Sequence, residues 1–536
     1  MSHTKNMLYI CKVWGKRLRG VIKETDRIFD MLRKIRISVA IFMWACCALL
    51  FLDFTGSVHT YLGWVAKVQF FPALLAMNVF VVLFLLALTL VFGRVYCSAI
   101  CPLGITYDIM AWFGKKAKKN RYSYSKAITW LRLTMLLVFT ACFAFGIASV
   151  VALLEPYGFF GRIMSNLFAP IYALVNNFLA WIAEKADSYA FYTVDVWIKG
   201  LVTFVLTLVC FTAFAVLAWR NGRTYCNTVC PVGTLLGFLS KYSLFRPVID
   251  SSKCTKCRKC ERNCKAACIN IKGGTTIDYS RCVACMDCLD NCKYGAMSYT
   301  WRFKRQPAAP VVAKPDQNGR QENSAVPDDS RRTFLSLAAL AAGTAVAEVL
   351  PKSVDGGLAV IEDKVKPSRG TRVVPPGARG LSNFSQHCTA CQLCVSVCPN
   401  GVLRPGSDME NFMQPEMGFE RGYCRPECVK CSEVCPTSAI TKITVDEKTS
   451  VQIGHAVWVA ANCVPLTDGV ECGNCARHCP SEAIQMVPSD PRNPGSLKIP
   501  VINDAKCIGC GACEYLCPAR PFGAIYVEGY ERHLSR

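Results

Sequence analysis

The chain has 536 residues, 34 of them cysteine, with 52% hydrophobic residues, a formal charge of +23 and a mean hydropathy of +0.26. That length excludes one ordinary domain and predicts several units, while the apolar fraction excludes a disordered or fibrous chain. The cysteines exclude a disulfide scaffold, which is short and irregularly spaced: six runs of four account for 24 of them, most as C-x2-C-x2-C-x3-C.

Residues 1–36 carry ten Lys or Arg and read as a basic cytoplasmic N-terminus. Residues 37–220 read as a four-helix transmembrane domain, because a span needs about 20 apolar residues. The predicted spans are Ile37–Phe54, Val68–Phe92, Leu133–Leu154 and Gly200–Trp219. The loop from Arg94 to Lys126 carries seven Lys or Arg, whereas Glu155 to Asp195 carries only Arg162 and Lys185. Basic loops stay inside, so the first loop is expected in the cytoplasm and the second outside. The basic residues therefore flank spans rather than a groove, and no nucleic-acid partner is expected.

In the outer loop Phe160, Ile163, Leu167, Ile171, Leu174, Phe178 and Ile182 recur at three- and four-residue steps. They predict an amphipathic helix in the membrane interface or capping the bundle. Packing explains such a stripe, and so does an apolar pocket for a quinone headgroup.

Two copies of G-R-x-Y-C-x3-C-P-x-G lie on the inner side, at Gly93–Gly104 and Gly222–Gly233. Their i, i+4 thiols, Cys97/Cys101 and Cys226/Cys230, share a face of a helical turn. If the copies meet, they offer four thiols to one metal or cluster; otherwise they are redox-inert helix starts with Pro in the first turn.

Residues 221–302 hold two runs, Cys254, Cys257, Cys260, Cys264 and Cys282, Cys285, Cys288, Cys292. In two-cluster ferredoxins three cysteines of a run hold one cube and the fourth reaches across to the other. That gives Cys254, Cys257, Cys260 and Cys292 for one [4Fe-4S] cluster, and Cys282, Cys285, Cys288 and Cys264 for the second. Zinc binds paired C-x2-C units too, but three close cysteines with a remote fourth, twice over, favour iron and sulfide. Lys265 and Lys293 replace the usual proline after the fourth cysteine.

Residues 303–329 are Pro-rich, polar and aperiodic, and read as a flexible linker. Residues 330–350, SRRTFLSLAALAAGTAVAEVL, read as a twin-arginine export signal or a fifth membrane span. Its place inside the chain is explained if a second protein's N-terminus is fused to the tail of a first, since that route carries folded, cluster-loaded proteins. Residues 351–380 are a further linker. Residues 381–536 form a periplasmic unit with four runs: Cys388, Cys391, Cys394, Cys398; Cys424, Cys428, Cys431, Cys435; Cys463, Cys472, Cys475, Cys479; and Cys507, Cys510, Cys513, Cys517. Spacing alone leaves the pairing of these runs open. Cys11, Cys46, Cys47, Cys142, Cys210 and Cys268 read mostly as ordinary buried thiols.

Residues 30–300 resemble the membrane-bound H subunit of periplasmic nitrate reductase systems, through the two C-x3-C-P motifs and the runs at 254 and 282. Residues 330–530 resemble its exported partner, the four-cluster G subunit. Relatives of these subunits serve methylamine oxidation, nitrous-oxide reduction and cytochrome oxidase assembly. The resemblance implies nested pairing of the last four runs, outer with outer and inner with inner.

The fold expected is an α-helical membrane bundle plus two α+β bacterial-ferredoxin-like domains, one two-cluster and one four-cluster. Six [4Fe-4S] clusters are expected, with quinol as diffusible substrate and a further metal or cluster at the C-x3-C-P motifs. The setting expected is the bacterial inner membrane, multi-pass, with membrane lipid and the quinol pool on one side of the chemistry and a periplasmic reductase or cytochrome as acceptor. The function expected is a quinol dehydrogenase component. The alternatives are a relay from a cytoplasmic donor across the membrane, and a metal-handling or maturation factor that binds copper at the C-x3-C-P motifs.

Overall fold

The computed structural model describes residues 31–53, 56–117, 122–188, 190–272, 274–303, 354–355, 359–360, 363–408 and 411–535. Most of the basic N-terminus, most of the 303–329 linker and the whole twin-arginine segment lie outside these residues.

Among the described residues three helices are long and apolar enough to cross a membrane: Met31–Leu52, Pro156–Lys185 and Leu201–Asn221. The first and last match predicted spans. In the first, the described residues are already helical at Met31, six residues before Ile37, and Arg33 and Arg36 on this stretch are paired with Asp287 and Asp108. The second and third predicted spans are interrupted. Val68–Phe92 contains helices Phe70–Leu75 and Val79–Phe92, separated where Met77 turns to φ 53° and the Asn78 side chain caps the next helix. Leu133–Leu154 breaks at Gly146, φ 74°, into Thr129–Ala144 and Ala148–Leu154. The outer stripe divides as well. Phe160 and Ile163 are buried, while Ile171, Leu174, Phe178 and Ile182 stay exposed. After this helix the chain runs back along it, with Asn177 hydrogen-bonded to Val194 in both directions at 2.8 Å.

The first ferredoxin-like unit pairs Phe245–Ile249 antiparallel with Met297–Trp301, and Ile269–Asn270 with Thr276–Ile277. Short helices Lys259–Arg262 and Asp287–Asp290 follow the cysteine loops. The second unit repeats the plan on a larger scale. Its longest ribbon pairs Val451–Trp458 with Ile525–Ser535, and smaller ones pair Ile484–Pro488 with Lys498–Ile502 and Leu403–Pro405 with Pro415–Met417.

The two units cap opposite ends of the bundle. At the start of Met31–Leu52, Arg33 reaches Asp287 of the first unit at 3.4 Å. At its other end the Phe51 ring and the Cys391 carbonyl of the second unit both crowd Gly161. Leu201–Asn221 runs the opposite way. Before it, Lys199 donates to the Val395 carbonyl of the second unit at 3.1 Å, and after it the Arg223 amide donates to the Lys265 carbonyl of the first at 2.8 Å. At about 1.5 Å per residue each helix is roughly 30 Å long, the thickness of a bilayer's hydrocarbon core.

Candidate metal centres

The cysteine loops share one backbone conformation. In the runs at 254, 282 and 388 the residues on either side of the second cysteine are left-handed: Lys256 and Arg258, Ala284 and Met286, Ala390 and Gln392, with φ between 49° and 64°. The run at 507 places Gly509 and Gly511 at the same two positions. Alternation into the left-handed region wraps a loop around a central object and turns its amides inward. The runs at 424 and 463 have different spacings, C-x3-C and C-x8-C, and lack this pair of turns. Three residues after the fourth cysteine another left-handed turn recurs, at Ala267, Gly295, Gly401, Ser438 and Glu482. It forms after Lys265 and Lys293 as it does after Pro, so the missing prolines leave the turn unchanged.

Two cavities in the first unit gather the thiols predicted to act together. Cys254, Cys257, Cys260 and Cys292 line one of about 360 Å³. Cys264, Cys282, Cys285 and Cys288 line another of about 470 Å³, and Cys268 lines it with them. Cys268 is thus no ordinary core thiol.

In the second unit the nested pairing is overturned: neighbouring runs pair. Cys398 lines a cavity of about 400 Å³ with Cys424, Cys428 and Cys431, and Cys435 lies against Cys388, Cys391 and Cys394. Likewise Cys517 joins Cys463, Cys472 and Cys475, and Cys479 joins Cys507, Cys510 and Cys513. The cause is local. Helices Leu393–Ser396 and Lys430–Val434 pack together and carry each fourth cysteine to the other run's loop, as Asn474–Arg477 and Ala512–Leu516 do in the second pair. The two halves meet where the Cys424 amide donates to the Cys510 carbonyl at 2.9 Å.

These nests are chemically suited to iron–sulfur cubes. Burial pushes the Cys388 thiol up to about 12 and Cys475 up to about 11, so each keeps its proton until a cation displaces it. Backbone amides then stand ready for the sulfurs: Ile440 at Cys435 (3.4 Å), Ala483 at Cys479 (3.3 Å) and Ala524 at Cys517 (3.4 Å). Among the described residues no three His, Cys, Asp or Glu side chains close on a single ion, and thiols spread around a cavity are the arrangement a larger cluster needs.

The two C-x3-C-P copies do meet. Cys101 has Cys97, Cys230 and Cys226 as neighbours, and all four cysteines are buried. The arginine of each copy serves the other. Arg94 donates to the Cys226 carbonyl at 3.0 Å, and Arg223 donates to that of Cys97 at 2.6 Å. The final glycine makes room for this: a Cβ on Gly104 or Gly233 would fall 2.3 Å from the carbonyl oxygen of Cys97 or Cys226. Arg94 is fully buried, yet its partners are Asn227, the Ser280 and Cys226 carbonyls and the Cys97 sulfur at 3.8 Å. None is a carboxylate. A buried cation without a carboxylate is costly unless an anion lies close, and thiolates on a metal supply one.

A model described as a 4Fe-4S binding domain matches residues 74–121 and 203–250, the two segments that carry these copies. A 4Fe-4S dicluster domain model matches residues 470–520. The methylamine utilization ferredoxin-type protein MauM of Methylophilus methylotrophus is 34% identical over 167 residues, which are 30% of this chain and 72% of that protein. This chain belongs to the ferredoxin-type proteins. The ferredoxin-type protein NapF of Escherichia coli K12 is 30% identical over 31% of this chain and 90% of its own length. NapG of the same strain is 28% identical over 36% and 84%. No solved structure matches.

This ferredoxin-type protein also holds a polar joint that the sequence did not announce. Asp108 receives Arg223 at 2.8 Å and Lys265 at 3.0 Å, with Arg36 at 3.7 Å, and Lys265 bridges on to Asp287 at 3.0 Å. Burial alone would raise the Asp108 carboxyl, but Arg223 and Lys265 hold it well below its ordinary range. Lys265 stands where a ferredoxin run usually has proline. That departure from pattern was the available signal: a charge replacing a structural residue needs a partner.

Proposed function

We propose that the protein is a membrane-embedded iron–sulfur electron carrier that oxidises quinol and relays the electrons through its second ferredoxin-like unit to a periplasmic reductase or cytochrome. The observation that carries this reading is the placement of four thiols between two ferredoxin-like units, themselves separated by helices of bilayer length. Six [4Fe-4S] cubes in the six nests, and a further cluster on Cys97, Cys101, Cys226 and Cys230, would each accept and release single electrons. The protein supplies the order. Arg94 touches both Ser280, beside the nest headed by Cys282, and the sulfur of Cys97. Beyond the four thiols, Tyr225 donates to the Leu154 carbonyl, and the buried Glu155–Asn166 stretch carries the contact onward to the second unit. There Arg162 donates to the Ala390 carbonyl and Asn166 to Gln392. From Cys391 the nests follow one another through Cys424 and Cys510 to the last one, held by Cys463, Cys472, Cys475 and Cys517, where the acceptor would dock.

The same contacts favour a second reading, in which a cytoplasmic donor feeds the nests at 254–292 and electrons cross through the four-thiol centre. The copper-handling alternative has less support, since the family model over both motifs names a 4Fe-4S site. Protein in lipid vesicles, mixed anaerobically with a menaquinol analogue, is expected to bleach its visible cluster absorbance. Bleaching only by a low-potential cytoplasmic-side donor would replace the first reading with the second, and stoichiometric copper without electron transfer would remove both.

A further inference from the structure

The cavity formed by the run at 282 contains five sulfurs where a [4Fe-4S] cube has four corners. Cys282, Cys285 and Cys288 come from one loop, while Cys264 and Cys268 come from the end of the preceding run. The Cys264 and Cys268 sulfurs are 3.5 Å apart, and Cys268 is 2% exposed. Sulfurs bound to different irons of one cube stand well apart, so Cys264 and Cys268 at this separation do not each hold a corner. At that separation the S–H of one thiol reaches the sulfur of the other. Cys268 also hydrogen-bonds Cys282, but that thiol belongs to the loop that already supplies the other three corners.

The local fold explains how one turn offers two thiols. Lys265, Ala266 and Ala267 connect them, and Ala267 takes the left-handed turn that follows five of the six fourth cysteines at this spacing. The turn is held from outside: Lys265 is tied to Asp108 and Asp287, the Arg223 amide donates to its carbonyl, and Asn227 donates to the carbonyl of Ala266 at 3.1 Å. The backbone that carries Cys268 therefore cannot move away from the cavity without breaking contacts to the C-x3-C-P copy at 222–233. Its carbonyl also accepts from the Asp278 amide at 2.8 Å, which fixes it on the other side.

We propose that Cys264 and Cys268 share the fourth corner of this cluster. One thiolate binds the iron, while the other remains a thiol and donates its S–H to the bound sulfur. Either can be the ligand. The inference rests on the reading of this nest as a [4Fe-4S] site. A hydrogen bond to a ligand sulfur stabilises the more negative, reduced cluster less than a full positive charge would, but in the same direction. The spare thiol thus holds this cluster's potential above that of a four-cysteine nest.

The test uses the full-length protein, purified anaerobically, in three variants: Cys264→Ala, Cys268→Ala and the double variant. Iron and acid-labile sulfide per chain and the EPR spectrum of the oxidised protein are the readouts, with the C-terminal clusters as internal reference. Each single variant is expected to keep wild-type iron content, with no three-iron signal, and only the double variant to show that signal. A three-iron spectrum in Cys264→Ala alone overturns the proposal. Should Cys264→Ala fail to accumulate, Cys268→Ala decides through a redox titration of the first unit's clusters: a lowered midpoint supports the shared corner, and an unchanged one overturns it. Loss of all iron from wild-type protein would instead remove the cluster reading itself.

Discussion

Arg94 donates to the carbonyl of Cys226, 132 positions along the chain, and Arg223 returns the contact to Cys97 across 126. This exchange locks the repeated motifs into one object, because neither cysteine turn has its carbonyl satisfied by its own arginine. Replacing Arg94 with Met leaves the buried carbonyl of Cys226 short of a donor, at about 1–3 kcal/mol, while that of Ser280 keeps Arg132 at 3.2 Å. The Arg94→Met/Arg223→Met pair is expected to lose less stability than the sum of the single changes, since both act on one site. Thermal denaturation in detergent, with iron content measured alongside, gives the coupling; strict additivity would mean that the copies are independent.

Lys265 and Lys293 occupy equivalent places, yet only the first is bound into the structure. Lys265→Pro restores the residue usual in ferredoxins but removes the closest cation that Asp108 and Asp287 share, leaving Arg223 and Arg36 on the first and Arg33 and Arg36 on the second. Because other cations remain, the loss is expected at about 1–3 kcal/mol, below that of a fully broken buried pair. Lys293 is exposed, and Lys293→Pro is expected to fall within about 0.5 kcal/mol of wild type. Equal melting temperatures for the two variants would count against the joint.

Pairing of neighbouring runs has a spectroscopic consequence. Cys435→Ala is expected to perturb only the cluster held by Cys388, Cys391 and Cys394, next to the bundle. Electron transfer from the membrane half to the rest of the second unit should then fall at least tenfold, while the three distal clusters still respond to a soluble reductant. A changed signal from the 463 nest would favour the nested order.

Acid should loosen the second unit through His533, whose imidazole burial pushes down to about 4. The unfolded chain takes up a proton near 6.5 and the folded one does not until about 4, so stability is full above 6.5 and falls as pH drops between those values. The expected loss at pH 4.5 is on the order of 1–2 kcal/mol. His533→Gln should flatten that part of the pH profile, measured by denaturant unfolding of the intact protein. An unaltered slope would assign the acid sensitivity elsewhere.

The repeats, the apolar stretches and the cysteine spacings were legible in the sequence because each is a local pattern with one dominant physical cause. The pairing within the first unit followed from the same logic, a short loop with its fourth thiol thrown across. Pairing in the second unit was not legible, since four similar runs offer several closures and only helix packing selects among them. The span boundaries failed where one residue outweighs hydropathy, as Asn78 and Gly146 do. Cys268 looked like a core thiol because its neighbour in space, Cys282, lies beyond a hairpin. Arg94 looked like a loop cation set by the membrane, and only its cross-copy partners reveal why it is buried.

The Met31–Leu52 and Leu201–Asn221 helices, each roughly 30 Å long, run between the two cysteine-rich units. Under the proposed function, with lipid around those helices, every electron passed from the first unit to the second would be a charge moved through the insulating layer. Such a step is worth about 2.3 kcal/mol for each 100 mV of membrane voltage. An interior held negative would then favour outward transfer over its return, so the cell's own energisation would bias the direction of the proposed relay.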